Sequence, residues 1–523
     1  MRTFLKTIIP VLFIATTTYA DKIIVMADPL ESLQARIELI MTAKKSIDVQ
    51  YFTVEHDYVS ISGLALLREA ARRGVKIRVI VDSMHNLMTR ETMSAFMNNL
   101  DASTEKNIEI REFNQFNIFR PFCYTRRMHD KSLIIDGEYL IVGDRNVASG
   151  YYDIPERVHN QTLPAYEGTD VLLSGTKSIN EAKNYFEQRW NSRDVKSVQL
   201  YNYSSSRLDY SYCSYREDFS ACEMNRQHDV QVIQKEIQKL DSHYADVAAR
   251  NTQLLKERPF LKALETAYET NDVQFIHDDA AQRVCKGKNP EKNIGKTLYQ
   301  AIAANTKSDL IIVTPYLTVT PEMEALIKHL VEDKNIFVRF ITNSPISTDV
   351  SAATAGYLKT RHRLMNIKNA SSGRGVRIYE FTNISNPTLK NVDGSILKSS
   401  KAVSTLHAKM VLMDSERAFI GSYNWDYRSQ NLNSEVGVVI GMDKMKKNQT
   451  TEDLRNFMTR ILKTSKIVRD DGTSNDKVKV TEVLTEDEQV EINSIIKSRE
   501  EVLKLWNFLL ELPVVGELLL EQT

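Results

Sequence analysis

Two stretches of the sequence decide its fold: RRMHDKSLIIDGEYLIVGDRNVASGYYD at residues 126–153 and LHAKMVLMDSERAFIGSYNWDYRSQNLNSEVGVVI at residues 406–440. Each contains a histidine, a lysine two residues later, an aspartate, a glycine and an asparagine. The second set follows the first at a constant offset of 278 residues. A constant offset over five positions is typical of a duplicated domain. The two sets are His129, Lys131, Asp136, Gly143 and Asn146, and His407, Lys409, Asp414, Gly421 and Asn424.

The segments that precede the two motifs also repeat. In each half an amphipathic helix is followed by an apolar strand, a second helix and a second strand. Alternating helices and β-branched strands predict α/β lobes with a central sheet. The predicted segments are 30–43, 46–52, 63–73 and 75–82 in the first half, and 295–304, 310–316, 322–332 and 337–343 in the second.

The rest of the chain divides around these two halves. We expect a first lobe at residues 21–197, a linker with a helical insertion at 198–265, and a second lobe at 266–464. Residues 465–523 are expected to form a charged loop and a C-terminal amphipathic helix. Its apolar face could lie on a bilayer or pack against the protein's own core.

The first twenty residues are typical of a secretory signal, with a basic start, a short apolar core and small residues before position 21. An uncleaved anchor is the alternative, although the apolar run is short for a bilayer. We therefore expect export to the periplasm or the medium, where the protein could attach to a membrane surface. Cys213 and Cys222 could form a disulfide there or remain free thiols.

The net charge is zero, with 68 basic and 68 acidic residues. A general binder of nucleic acid would be expected to carry a basic excess. The sequence has no Cys-x-x-Cys pair and no His-Glu-x-x-His motif, so it offers no strong metal site. We expect the protein to use neither a metal nor another cofactor.

The repeated motif suits chemistry at phosphorus. A histidine can attack phosphorus as a nucleophile or protonate a leaving oxygen. In-line displacement separates the entering and leaving groups, so both tasks together need two histidines on opposite sides of the phosphate. Among ten histidines, only His129 and His407 have a lysine two residues later. Lys131 and Lys409 would supply positive charge to the transition state.

These motifs resemble the signature of the phospholipase D superfamily, and they are most similar to its bacterial cardiolipin synthase branch. The resemblance covers most of residues 30–195 and 295–440. It implies two similar lobes, each a central mixed β-sheet flanked by helices, packed with pseudo-two-fold symmetry into one catalytic unit. It also implies a phosphohistidine intermediate.

The resemblance assigns roles to individual residues. His129 is expected to be the nucleophile and His407 the acid and base, although the sequence leaves their order open. A downstream acid should hold the second ring nitrogen of each histidine: Glu435 in one half and Asp170 in the other. The motif residues Asp136, Asp414, Gly143 and Gly421 are expected to be structural.

Phosphate-binding donors are expected after each glycine, and the two halves differ there. The second half has Ser422, whereas the first has Asp144, whose carboxylate would repel a phosphate that it faced. Asp144 must therefore point away, or the first half binds phosphate less symmetrically. The expected donors to phosphate are Asn146, Asn424 and Ser422.

The predicted function is that of a phosphatidyltransferase that acts on glycerophospholipids. If water rather than an alcohol accepts the phosphatidyl group, the protein is a phospholipase D that releases phosphatidic acid. Two further hypotheses are a phosphodiesterase acting on DNA or RNA and a lipid-binding pseudoenzyme. The expected partners are a phospholipid membrane surface, a glycerophospholipid, and an alcohol or water acceptor. Nucleic acid is disfavoured, and the oligomeric state stays open.

Overall fold

A computed structural model describes residues 20–98, 101–154, 157–158, 161–162, 165–175, 177–281, 284–385, 402–442, 448–468, 497 and 501. Most of the predicted signal and nearly all of the predicted C-terminal helix lie outside these residues. The described chain forms two α/β lobes, each built on one large mixed sheet. The predicted two-lobed architecture is confirmed.

The first sheet has nine strands, and its three central parallel strands alternate with helices. Ser46–Tyr51 is the last strand of this parallel set. Its other neighbour is the antiparallel hairpin that follows His129. In order across the sheet, the strands are Val195–Ser197, Ile108–Phe113, Lys76–Asp82, Ser46–Tyr51, Lys131–Ile135, Tyr139–Gly143, Asp170–Ser174, Asp21–Met26 and Tyr268–Thr270.

The second sheet repeats this order over eight strands. Its parallel set is again followed by an antiparallel hairpin, here the one after His407. In the same direction as the first sheet, the strands are Ser465–Ile467, Val376–Phe381, Phe337–Asn343, Asp309–Val313, Met410–Met413, Arg417–Gly421, Val436–Gly441 and Val273–His277.

Helices cover both sheets, and polar caps define where several of them begin. Asp57 accepts a hydrogen bond from the amide of Ser60, and Thr320 accepts one from the amide of Met323, which satisfies otherwise unpaired N–H groups. The main helices are Pro29–Thr42, Tyr58–Arg72, Arg90–Met97, Lys177–Trp190, Phe219–Arg250, Pro259–Thr266, Ile294–Asn305, Pro321–Lys328, Ser351–Met365 and Gln449–Lys463. Within the described part of the chain, each helix is too short or too polar to cross a bilayer.

Two boundaries differ from the expected ones. Tyr268–Thr270, expected in the second lobe, pairs with the first strand of the first sheet. Ser465–Ile467, expected in a charged loop, forms the edge of the second sheet. The insertion packs on the first lobe, because the long helix Phe219–Arg250 contacts Tyr58–Arg72 and Arg90–Met97.

An apolar core shared by the lobes holds the two sheets together. Its residues come from the hairpins after both catalytic motifs, from the strands beside them and from the helices Lys177–Trp190 and Gln449–Lys463, and they are almost fully buried. Because this core joins the hairpins, the segments immediately before them meet at one site. Its members include Ile134, Leu140, Val142, Met410, Ile420 and Val438.

Two disulfides are present. Cys213 and Cys222 are bonded at the start of the insertion, the first of the two states left open by the sequence. Cys123 and Cys285 form a second bridge, which was not predicted. It joins segments 162 residues apart, one in each half of the chain.

Candidate functional site

A cavity of about 930 Å³ lies between the lobes, and both motif histidines line it. His129 precedes the strand Lys131–Ile135, and His407 precedes Met410–Met413. The duplicated folds therefore present the two imidazoles from opposite lobes to one space. Other residues along its wall are Phe52, His85, Arg127, Asn146, Tyr151, Tyr166, Tyr316, Asn424, Asp426 and Arg428.

The partner of His129 lies in the other lobe and is Glu435, one of the two acids predicted to hold a motif histidine. His129 Nδ1 lies 2.9 Å from Glu435 Oε2 and 3.1 Å from the carbonyl oxygen of Ser422. Both neighbours are acceptors, so Nδ1 carries the proton and Nε2 keeps a free lone pair. This arrangement suits His129 for nucleophilic attack.

His407 lies beside a carboxylate that was not predicted to serve a histidine. Its Nδ1 lies 3.5 Å from Asp144 Oδ1, and its Nε2 lies 3.4 Å from the hydroxyl of Tyr151. Asp170, which was predicted to hold one of the two motif histidines, instead accepts hydrogen bonds from Arg36, Arg145 and Ser32 in the core of the first lobe. Its predicted role as a partner of a motif histidine is therefore wrong.

Strand pairing explains the error. Gly143 pairs with Asp170 in the first sheet, and the equivalent Gly421 pairs with Gly437 in the second. Position 170 thus corresponds to 437, and the position that corresponds to Glu435 is Gly168. A glycine cannot supply a carboxylate.

Asp144 fills the space that a side chain at position 168 would use. A Cβ added to Gly168 would lie only 2.2 Å from Asp144 Oδ1. The Asp144 carboxylate is also fixed by hydrogen bonds from the amide and hydroxyl of Thr169, at 2.6 and 3.1 Å. Asp144 is not among the residues that line the cavity, which favours the arrangement in which it points away from the phosphate site.

Burial controls the protonation of both carboxylates. It raises the pKa of Asp144 to about 7, against the opposing effects of Lys409 and Arg145. Burial also raises the pKa of Glu435, which Lys131 counteracts. Asp170 behaves differently: burial would raise its pKa, but Arg36 and Arg145 hold it below its ordinary value.

The two lysines place positive charge beside the histidines. Lys131 Nζ donates to the carbonyl oxygen of His129 at 2.8 Å, and Lys409 Nζ donates to that of His407 at 2.7 Å. Burial and the mutual repulsion of the ammonium groups lower the pKa of Lys131 to about 7. Burial lowers the pKa of Lys409 to about 8. An anionic phosphate would favour the charged form of both.

Both histidines are neutral at pH 7 in the free site. Burial, followed by the charges of Lys131 and Lys409, holds the pKa of each imidazole well below its ordinary value. A neutral His129 is ready to attack. His407 must gain a proton before it can act as an acid, and a bound phosphodiester would help by offsetting the positive charge of the lysines.

The motif aspartates have the same structural task in both lobes. Asp136 accepts hydrogen bonds from the amides of residues 44–46, and Asp414 from those of residues 307–309. Each has a positive φ, 56° and 52°, which turns the chain into its hairpin. Gly143 and Gly421 are required because a Cβ would lie 2.0 Å and 2.5 Å from the neighbouring strand.

The predicted phosphate donors are not equivalent. Asn146 and Asn424 both line the cavity, and the amide nitrogen of Asn146 donates to the Tyr151 hydroxyl at 2.9 Å. Ser422 does not fill its predicted place, because its hydroxyl donates to Glu435 Oε2 at 2.5 Å. The serine therefore supports the partner of His129.

The aromatic wall of the cavity was missed by sequence reasoning, because aromatic residues carry no distinctive spacing there. Phe52 meets the ring of His129 edge-on at 4.7 Å, and Tyr151 stacks on Tyr166 at 4.2 Å beside His407. Tyr151 stands inside the first quoted motif, where its position could have suggested a role. Among the described residues, no group of three His, Cys, Asp or Glu side chains could hold a metal ion.

Comparison with known families gives a match over both halves. The family model described as cardiolipin synthase, phospholipase D-like domain, matches residues 36–190 and 298–458. Both matched ranges include one histidine–lysine motif. Together they cover more than half of the chain.

Individual relatives show the same similarity over longer ranges. Cardiolipin synthase C of Escherichia coli (strain K12) is 26% identical over 423 residues, which are 79% of this chain and 79% of that protein. Cardiolipin synthase 1 of Bacillus cereus is 23% identical over 76% of this chain and 59% of its own length. The solved structure of phosphatidylserine synthase from Haemophilus influenzae has a TM-score of 0.53 and 13% identity. That match covers 92% of this chain and 94% of the other.

Proposed function

Because the chain belongs to the cardiolipin synthase family of phospholipase D-like proteins, we propose that it transfers phosphatidyl groups from a glycerophospholipid to an alcohol. The observation that carries this proposal is the pair of histidines on one cavity, each with a buried carboxylate at Nδ1. In the proposed mechanism that pair supplies a nucleophile and an acid to one phosphate.

The first step makes a phosphohistidine. His129 Nε2 attacks the phosphorus of the donor lipid, and the bond from phosphorus to the headgroup oxygen breaks. His407 gives a proton to that oxygen, so the headgroup leaves as a neutral alcohol. In this step Lys131 and Lys409 would hold the non-bridging oxygens as charge develops.

The second step reverses the proton movement. His407, now neutral, takes the proton from the hydroxyl of the acceptor, whose oxygen attacks phosphorus and displaces His129. Asp144 stabilises the imidazolium that forms, and Glu435 keeps His129 in the reactive tautomer. An acceptor hydroxyl on a second phospholipid would give cardiolipin, whereas water would give phosphatidic acid.

We also propose that the protein works outside the cytoplasm. The two disulfides, Cys123–Cys285 and Cys213–Cys222, favour an oxidising compartment. The apolar segment near the start of the chain supports the same proposal. Recovery of the protein in the periplasm or medium of its source cells, with both bridges formed, would test it; a purely cytoplasmic, reduced protein would contradict it.

The deciding experiment is a lipid product analysis. The purified protein is incubated with vesicles of phosphatidylglycerol and phosphatidylethanolamine in excess chelator, and the lipids are resolved by mass spectrometry. Cardiolipin that is absent with His129→Ala would establish the transferase, and phosphatidic acid alone would establish a hydrolase. No lipid product under any condition would contradict both and direct the test to DNA and RNA.

A further inference from the structure

A loop at residues 114–126, here called the aromatic loop, exposes four large apolar side chains. It follows the strand Ile108–Phe113 of the first sheet. The exposed fractions are 61% for Phe116, 70% for Ile118, 88% for Phe119 and 90% for Phe122. Apolar side chains clustered so closely on a surface mark a contact with a membrane or another protein.

The aromatic loop is held in this exposed position by bonds at its base. The side-chain amide of Asn114 donates to the carbonyl oxygens of Cys123 and Arg126, both at 2.8 Å. Cys123 is bonded to Cys285 of the second half of the chain. A loop tied at both ends loses little conformational entropy when it docks, so its exposed rings are ready for a partner.

The base of the loop belongs to the mouth of the catalytic cavity. Thr125 lines the cavity at the end of the loop. The hydroxyl of Ser83 donates to the carbonyl oxygen of Asn114 at 2.7 Å, which ties the loop to the neighbouring segment. That segment contributes Met84 and Leu87, both exposed and both on the cavity wall. The apolar surface thus continues into the site.

The charges within the loop itself have one sign. Residues 114–126 contain Arg120 and Arg126 but no acidic residue. Lys286, next to the disulfide partner Cys285, is exposed as well. Aromatic side chains with adjacent basic groups match the acyl–headgroup boundary of a bilayer that contains anionic lipid.

We propose that the aromatic loop inserts into the surface of an anionic phospholipid bilayer and sets the mouth of the cavity against it. The inference rests on the proposed function for its choice of lipid as the partner. A substrate headgroup could then enter the cavity while its acyl chains stay in the bilayer. A second copy of the chain on the same loop is the competing occupant.

Vesicle binding tests the loop independently of catalysis. We expect Phe119→Ser/Phe122→Ser to bind vesicles of phosphatidylglycerol and phosphatidylcholine about 10- to 100-fold more weakly than the parent chain, because two rings lose their apolar environment. The matched control is Tyr210→Ser/Tyr215→Ser, which removes two exposed rings from the insertion. This control should bind like the parent chain.

A spectroscopic probe tests insertion directly. In Phe119→Trp, the added indole fluorescence should shift to the blue on vesicles and be quenched by brominated acyl chains. Turnover of a short-chain phosphatidylglycerol below its micellar concentration should be the same for Phe119→Ser/Phe122→Ser and the parent chain, because the loop does not touch the reacting atoms.

Three outcomes would overturn the inference. They are undiminished vesicle binding by the serine variant, indole fluorescence of Phe119→Trp that brominated lipid leaves unchanged, and a dimer in solution that the serine substitutions dissociate. Loop-dependent binding without turnover of any phospholipid would leave the inference in place and instead remove phosphatidyl transfer.

Discussion

Removing the carboxylate of Asp144 should slow the reaction through its effect on His407. The perturbation is Asp144→Ser, which places the residue of the second half, Ser422, at the equivalent position. His407 becomes an imidazolium during each turnover of the proposed mechanism. The variant leaves that cation without the carboxylate that now lies 3.5 Å from its Nδ1.

The structure bounds the size of the effect. Two unit charges 3.5 Å apart interact by about 5 kcal/mol at an effective dielectric constant of about 20. A hydrogen bond to a charged group contributes about 1.5–3 kcal/mol, which sets the lower bound. Because each 1.36 kcal/mol corresponds to a tenfold change in rate, kcat should fall about 10- to 3,000-fold.

The second half of the chain provides a design for rescue. Asp144→Ser/Gly168→Glu copies the Ser422–Glu435 pair into the first half. It should recover much of the lost rate, because the side chain at position 168 would again place a carboxylate beside His407. Gly168→Glu alone should be poorly active or unstable, since its Cβ would lie 2.2 Å from Asp144 Oδ1.

The assay is steady-state turnover of phosphatidylglycerol over a range of pH. The pKa of Asp144 is raised to about 7 by burial. Below about pH 7 the Asp144–His407 pair therefore holds the proton that His407 must deliver, and kcat/KM of the parent chain should fall as the pH rises through 7. This limb should change in Asp144→Ser. A variant with kcat within threefold of the parent and an unchanged pH profile would refute the reasoning.

Three further perturbations test other parts of the site. His129→Ala and His407→Ala should each lower kcat by several orders of magnitude in a lipid-product assay, and near-normal turnover by either would exclude the two-histidine mechanism. Sulfate, which is a dianion from pH 6 to pH 9, should raise the Tm more at pH 6 than at pH 9. Burial lowers the pKa values of Lys131 and Lys409 to about 7 and about 8, so both ammonium groups are charged only at the lower pH. Equal Tm shifts at the two pH values would mean that sulfate binds elsewhere. Asp414→Asn should lower the free energy of unfolding by about 1–3 kcal/mol in denaturant melts, because its side chain would bind the amides of residues 307–309 more weakly. An unchanged free energy of unfolding would contradict the structural role of Asp414.

The sequence alone was sufficient for the fold and the centre of the site. The 278-residue offset predicted two lobes of one architecture, and the sheets repeat the same strand order. It also predicted that His129 and His407 would share a site and that Glu435 would be the acid partner of one of them. Both histidines line one cavity, and Glu435 lies 2.9 Å from His129 Nδ1. The family resemblance is confirmed by the match over both halves. A repeated motif carries this information because residues at matched positions take the same local structure in both copies.

Only the tertiary structure decided which carboxylate serves His407. Asp144 and His407 are 263 residues apart in sequence, and their contact depends on strand register and on how the lobes pack. Asp170 lies only two residues after Gly168, but Arg36 holds it in the core of the first lobe. The space beside Gly168 is filled by Asp144. The bond between Cys123 and Cys285 and the pairing of Tyr268–Thr270 with the first sheet are likewise contacts between distant segments. Local patterns determine what each residue can do, but long-range packing selects the partner with which it does it.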